Sequence, residues 1–153
     1  MRRAQSGLSR RQAVATLGLG GLAVSLLPRD ATAAVEDARR LLGSLIKSQP
    51  KPGKVSIKTK DIAENDNTVP VTVSVESPMT AADHVRAIHV ISDGNPAPGV
   101  ASFHLTPASG KAEVYFRMRM AQTQNLIAVA ELNDGSAWIV SREIRVTIGG
   151  CAS

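Results

Sequence analysis

The chain has 153 residues, room for one domain with a real core and too few for two of ordinary size. Its formal charge of +5 would suit an acidic partner, but residues 1–33 hold five arginines and one acid, which leaves 13 basic and 12 acidic residues, a net of +1, for everything after them. With one Trp, one Tyr and two Phe, and no basic run interleaved with aromatics, the composition argues against nucleic-acid binding.

Residues 1–33 read as an export signal: an arginine-bearing start, an apolar run over 13–27, and the small residues Ala31-Thr32-Ala33-Ala34. The apolar run is interrupted by Gly18, Gly20 and Gly21 and is shorter than the roughly 20 residues of a membrane span. Ala31-x-Ala33 offers a signal-peptidase site with cleavage after Ala33, so the reading is a removed leader with no stable membrane association, against the alternative of an anchored helix. Just before the apolar run, Ser9-Arg10-Arg11-Gln12-Ala13-Val14 resembles the twin-arginine signal that exports folded proteins, with Ala13 where a phenylalanine is usual. The expected destination is the bacterial periplasm. The Gly18-Leu19-Gly20-Gly21 cluster follows no strand and lacks the pattern of a phosphate loop.

The domain is expected over residues 34–148. Apolar residues at 35, 38, 41, 42, 45 and 46 fall near a helical period and predict one amphipathic helix over 35–47, ended by Pro50, Pro52 and Gly53. From Lys54 onward the period is two. Strands are predicted over 55–59, 69–75, 85–91, 101–106, 112–120, 126–132 and 137–148, with Asn65-Asp66-Asn67 as a turn and an Asp134-Gly135 hairpin between the last two. Pro70 fits only an edge strand or a strand start. The clearest alternation sets Ala112, Val114, Phe116, Met118 and Met120 inward and Glu113, Tyr115, Arg117 and Arg119 outward, facing water or a partner. Trp138 reads as core. About seven short strands with no helix among them imply an all-β fold, an antiparallel sandwich of immunoglobulin type behind a short N-terminal helix.

The last strand, with Ile144, Val146 and Ile148 facing inward, runs into Gly149-Gly150-Cys151-Ala152-Ser153. Two residues without side chains precede the only cysteine and two small ones follow it, so residues 149–153 read as a flexible arm. In an oxidising compartment a single cysteine is either bonded to another molecule or kept free for chemistry, and Cys151 has no neighbours with which to form a core. No Lys, Arg or His adjoins it in sequence, and the carboxylate of Ser153 would disfavour its thiolate, so activation would come from whatever enzyme receives the arm. The arm suits a carrier rather than an enzyme.

The twin-arginine leader, the short helix, Asp61-Ile62-Ala63-Glu64-Asn65, Val69-Pro70-Val71, Val75-Glu76-Ser77-Pro78-Met79 and the closing Gly149-Gly150-Cys151 together resemble the SoxY family, sulfur carriers of the bacterial Sox sulfur-oxidation system. The resemblance spans nearly the whole chain. It implies an immunoglobulin-like sandwich, a heterodimer with a SoxZ-like β-protein, and a non-catalytic role. It also implies that Cys151 carries thiosulfate-derived sulfur covalently, loaded by a SoxXA-like cytochrome, hydrolysed by a SoxB-like enzyme and finished by a sulfane-oxidising Sox enzyme, with no other cofactor. Ala152-Ser153 stand where the family's arm has two further glycines.

The alternative is an exported immunoglobulin-like binding module with an incidental thiol. It would bind copper through His84, His89 and His104 with Met79, Met118 and Met120, since imidazole and thioether are ligands copper accepts. Against it, His84 and His89 are five apart and fall on opposite faces of an ideal strand, so surface or core histidines, core methionines and no metal site are expected.

Overall fold

The computed structural model describes residues 31–63, 68–120 and 122–147. Leader residues 1–30, the predicted turn at 65–67, the inward placement of Ile148 and the whole of 149–153 lie outside the described residues. Helix α1 spans Ala31–Leu45. It starts before the predicted residue 35, because Ala31, Ala33 and Ala34 are strong helix formers, so the expected cleavage position after Ala33 falls within its first turn. Among the described residues no helix is long and apolar enough to cross a membrane.

Among the described residues nine strands follow: β1 (Lys51–Pro52), β2 (Val55–Thr59), β3 (Ile62–Ala63), β4 (Val69–Val75), β5 (Val85–Ser92), β6 (Gly99–His104), β7 (Glu113–Met118), β8 (Gln124–Leu132) and β9 (Ala137–Val146). They form two sheets. The larger has the order β1-β9-β8-β5-β6 with β3 also on β9, and the smaller is β2-β4-β7. The sandwich is as predicted, with one correction to its strictly antiparallel character: β1 and β3 are extra two-residue strands, each parallel to β9. Segments this short carry no readable period.

The core lies between the sheets. Val71 and Val73 from the smaller sheet meet Ile88, Val90, Leu126, Ala128 and Ile144 from the larger, all at most 1% exposed. The two-residue period of 112–120 holds, with Met118 and Met120 buried and Tyr115 outside at 61% exposure. Pro70 sits at the start of β4, which is the middle strand of its sheet. Position 70 is tolerable there because β2 joins β4 only from Val71 onward, leaving one side open. Trp138 is half-buried against this core, with Lys54 Nζ 5.0 Å above its ring.

Helix α1 covers the outer face of the larger sheet. Leu42 and Ile46 pack on Ile127, Val129, Ala137 and Ile139, and the Ser48 hydroxyl donates to the Gly135 carbonyl at 2.8 Å, tying the helix exit to the β8–β9 turn. Gly135 has φ +84°, as the predicted Asp-Gly turn requires.

At the opposite end of the sandwich the 93–98 loop folds onto β8. A Cβ at Gly94 would lie 2.6 Å from Gln124 Cβ, so only glycine lets the loop approach. Replacing Gly94 with Ala is therefore expected to destabilise the fold by about 1–3 kcal/mol, the usual cost of overpacking, read as a lower urea midpoint with an unchanged slope.

Candidate functional site

Cys151, its arm companions Gly149, Gly150, Ala152 and Ser153, and the leader pair Arg10 and Arg11 all lie outside the described residues. What the structure gives is the end of β9, the strand that precedes these residues in sequence. Strand β8 begins at Gln124, opposite Ile144, so β9 outruns its antiparallel partner by two residues. A bare strand end would leave its amides to water. Here each of three successive amides has a partner, on alternate sides as the strand pleat demands.

On the outer edge, Arg145 N–H donates to the Asp61 carbonyl at 3.0 Å and Thr147 N–H to the Ala63 carbonyl at 3.1 Å. On the inner edge, Val146 N–H donates to the Thr123 hydroxyl at 3.0 Å, a side chain standing in where β8 has ended. The segment that supplies the outer partners is itself pinned. Arg142 donates to the Ile57 carbonyl of β2 at 2.8 Å and to the Asp61 carboxylate at 2.6 Å. Backbone pairing thus extends to Thr147, and Gly149 follows two residues later in sequence.

Beside the end of β9 lies a polar network centred on Gln124. The Ser92 hydroxyl donates to Gln124 Oε1, which also accepts from Gly94 N–H at 3.0 Å. Gln124 Nε2 donates to Asn95 Oδ1 at 3.0 Å, and Asn95 Nδ2 to the Arg119 carbonyl at 2.9 Å. Asp93 accepts from the backbone and side-chain amides of Asn125 at 2.7 and 2.8 Å. Ser92 and Gln124 are buried and Asp93, Asn95 and Asn125 half-buried, and their hydrogen bonds fix the loops around the strand end. Sequence reasoning missed Thr123, Asp61 and Arg142. The only signal for them was that Asp61-Ile62-Ala63 was already among the stretches carrying the family resemblance.

The histidines and methionines part company. Met79, Met118 and Met120 are core residues, at most 7% exposed. His84 precedes β5 and its ring nitrogen Nδ1 lies 3.1 Å from the Thr80 carbonyl. His89 and His104 do come together, edge to face at 6.3 Å between centroids, a cross-strand meeting that sequence spacing hid. His89 Nδ1 lies 2.8 Å from the Ser102 hydroxyl. Among the described residues no group of three or more His, Cys, Asp or Glu is placed to hold a metal ion.

The sandwich with its N-terminal helix is the fold of a class already known, the sulfur-oxidation proteins. The family described as Sulfur oxidation protein SoxY matches residues 39–151, and the chain belongs to that family. The solved structure of the sulfur carrier protein SoxY from Chlorobium limicola f thiosulfatophilum is 35% identical, with a TM-score of 0.62 over 74% of this chain and 98% of that one. The superoxide reductase (neelaredoxin) from Ignicoccus hospitalis is 23% identical, with a TM-score of 0.56 over 62% of this chain and 81% of its own. A putative superoxide reductase from Thermotoga maritima is 22% identical, with a TM-score of 0.55 over 69% and 97%. These last two share the fold alone. No curated protein matches the chain.

His89 supplies a pH signature. Burial lowers its pKa from the ordinary 6.5, the Glu131 carboxylate opposes that shift, and His104 adds to it. A depressed value in the folded state means the unfolded chain takes up the proton first. The neutral ring then contributes stability above 6.5 that is lost as pH falls below it. Comparing chemical denaturation at pH 8 and pH 5, the wild type should lose more stability than His89→Gln, and equal losses would refute the assignment.

Proposed function

We propose that the chain is an exported sulfur carrier that holds thiosulfate-derived sulfur on Cys151 and presents it to Sox enzymes, without catalysing a step itself. The observation that carries this reading is that the family match does not stop with the sandwich but runs on through Gly149 and Gly150 to the chain's sole cysteine. The firmly held strand end supports it, because a carrier must present its thiol from a fixed origin.

Sulfur chemistry needs a thiolate that a partner can reach and activate. Loading joins the Cys151 sulfur to the sulfane sulfur of thiosulfate. A new S–S bond forms, the thiol proton is released and two electrons pass to a SoxXA-like cytochrome. Water then cleaves the outer sulfone at a SoxB-like hydrolase, releasing sulfate and leaving a persulfide on Cys151 for a sulfane-oxidising enzyme. A SoxZ-like β-protein completes the carrier as a heterodimer. Ala152 and Ser153 keep the arm slim enough for an enzyme channel, though their Cβ atoms narrow its conformations relative to glycine.

Two measurements test the reading. Intact mass after incubation with thiosulfate and the loading cytochrome is expected to rise by the thiosulfate adduct in the wild type and stay unchanged in Cys151→Ser; the same adduct on the variant would refute it. For export, replacing Arg10 and Arg11 together with Lys is expected to leave an unprocessed precursor in the cytoplasm, whereas unchanged processing would rule out the twin-arginine route.

A further inference from the structure

We infer that the outer edge of β7 pairs with itself: a second copy of this chain adds its own β7 antiparallel to it, about a twofold axis at Tyr115. This goes beyond the carrier reading and does not depend on it. The sandwich treats its two flanks unequally. On one, β9 is covered by β1 and β3, and Arg142 takes the Ile57 carbonyl of β2. On the other, Phe103 of β6 lies 5.6 Å from Phe116 of β7 between ring centroids, and among the described residues no strand pairs with the outer edge of either strand. Both rings are only half-buried, and Tyr115 stands out at 61% exposure. An open edge invites another strand unless something blunts it. β6 is blunted, since its register with β5 shifts between Val90 and Ile91 and Pro98 stands just before it. β7 runs in unbroken register with β4 from Glu113 to Met118.

That register fixes what β7 offers. Val75 N–H donates to the Ala112 carbonyl at 2.8 Å, and hydrogen-bonded pairs alternate along an antiparallel ladder. Residues 112, 114, 116 and 118 therefore turn their backbone groups toward β4, while Glu113, Tyr115 and Arg117 turn theirs outward. A second β7 laid antiparallel with Tyr115 opposite Tyr115 engages every outward donor and acceptor of these three residues. The same register puts Glu113 opposite Arg117 of the second copy, and Arg117 opposite its Glu113, so opposite charges face each other on both sides of the axis. Both side chains already lie over this face of the sheet: Glu113 accepts from the Ser74 hydroxyl at 2.8 Å, and Arg117 Nε donates to the Tyr115 hydroxyl at 3.3 Å. A twofold pairing uses the edge up, so the assembly closes at two copies.

Sedimentation of the full chain under a thiol reductant, which removes any disulfide through Cys151, tests the pairing. The wild type is expected to form a dimer that dissociates on dilution. Glu113→Arg and Arg117→Glu each set like charges opposite one another on both sides of the axis and are expected to weaken the dimer about tenfold. The double variant restores the complementarity and should return to within about threefold of wild type. Both side chains are exposed, so these changes leave the core intact. In hydrogen exchange the amides of Glu113, Tyr115 and Arg117 should slow as concentration rises, while those of Val114 and Phe116, already bonded to β4, stay constant. A wild type that remains monomeric up to about 1 mM would overturn the inference. So would single reversals that leave the dimer as strong, or a double variant no stronger than either single. Protection of the three amides that appears only on adding the SoxZ-like β-protein would also overturn it, and would give this edge to that partner.

Discussion

Pairing on both edges of β9 is the constraint from which the rest of this architecture follows. A strand at the margin of a sheet exposes a row of unpaired backbone groups, which invites unwanted association. The chain resolves this by using residues 51–63 as a stitch. β1 lies along the start of β9, the chain crosses to the smaller sheet as β2, and it returns as β3 along the end of β9. Arg142 fills the interval between the two short strands by reaching to the carbonyl of Ile57. The two sheets are thus fastened together by main chain as well as by the apolar side chains between them.

Much of the fold was legible in the sequence, and the reason is periodicity. The alternation of Val69, Val71, Val73 and Val75, and of the residues from Ala112 to Met120, survives because each strand has one face on the core. What stayed hidden depends on register. Two residues such as Lys51-Pro52 have no period, and the meeting of His89 with His104 follows from cross-strand alignment that no spacing along the chain reveals. The sequence pointed to Cys151 for chemistry but said nothing of how the end of β9 is paired, because Thr123 and Asp61 look like ordinary polar loop residues until β9 is seen to outrun β8. Pro70 shows the opposite case: a rule about strand starts predicted its place even though it lies in a middle strand.

The loops at this end of the molecule are unusually well satisfied. Gln124, only 4% exposed, uses both ends of its amide, and Gly94 is small enough to let the 93–98 loop close upon it. An apolar filling could have bridged the same gap, but without fixing the direction of each loop; a buried amide accepts only one arrangement of donors and acceptors. The loops around the end of β9 are thereby held in fixed directions, whereas the charged pair Arg39 with Glu36 on helix α1 lies in solvent and contributes little.

The orientation of β9 has a mechanical side. Its ladder with β8 consists of hydrogen bonds lying across the strand axis, so a pull exerted at Thr147 in line with the strand is resisted in shear. The bonds share such a load and must yield together, instead of parting one at a time as they would in an unzipping geometry. Tugging on the end of β9 would thus strain many weak links at once.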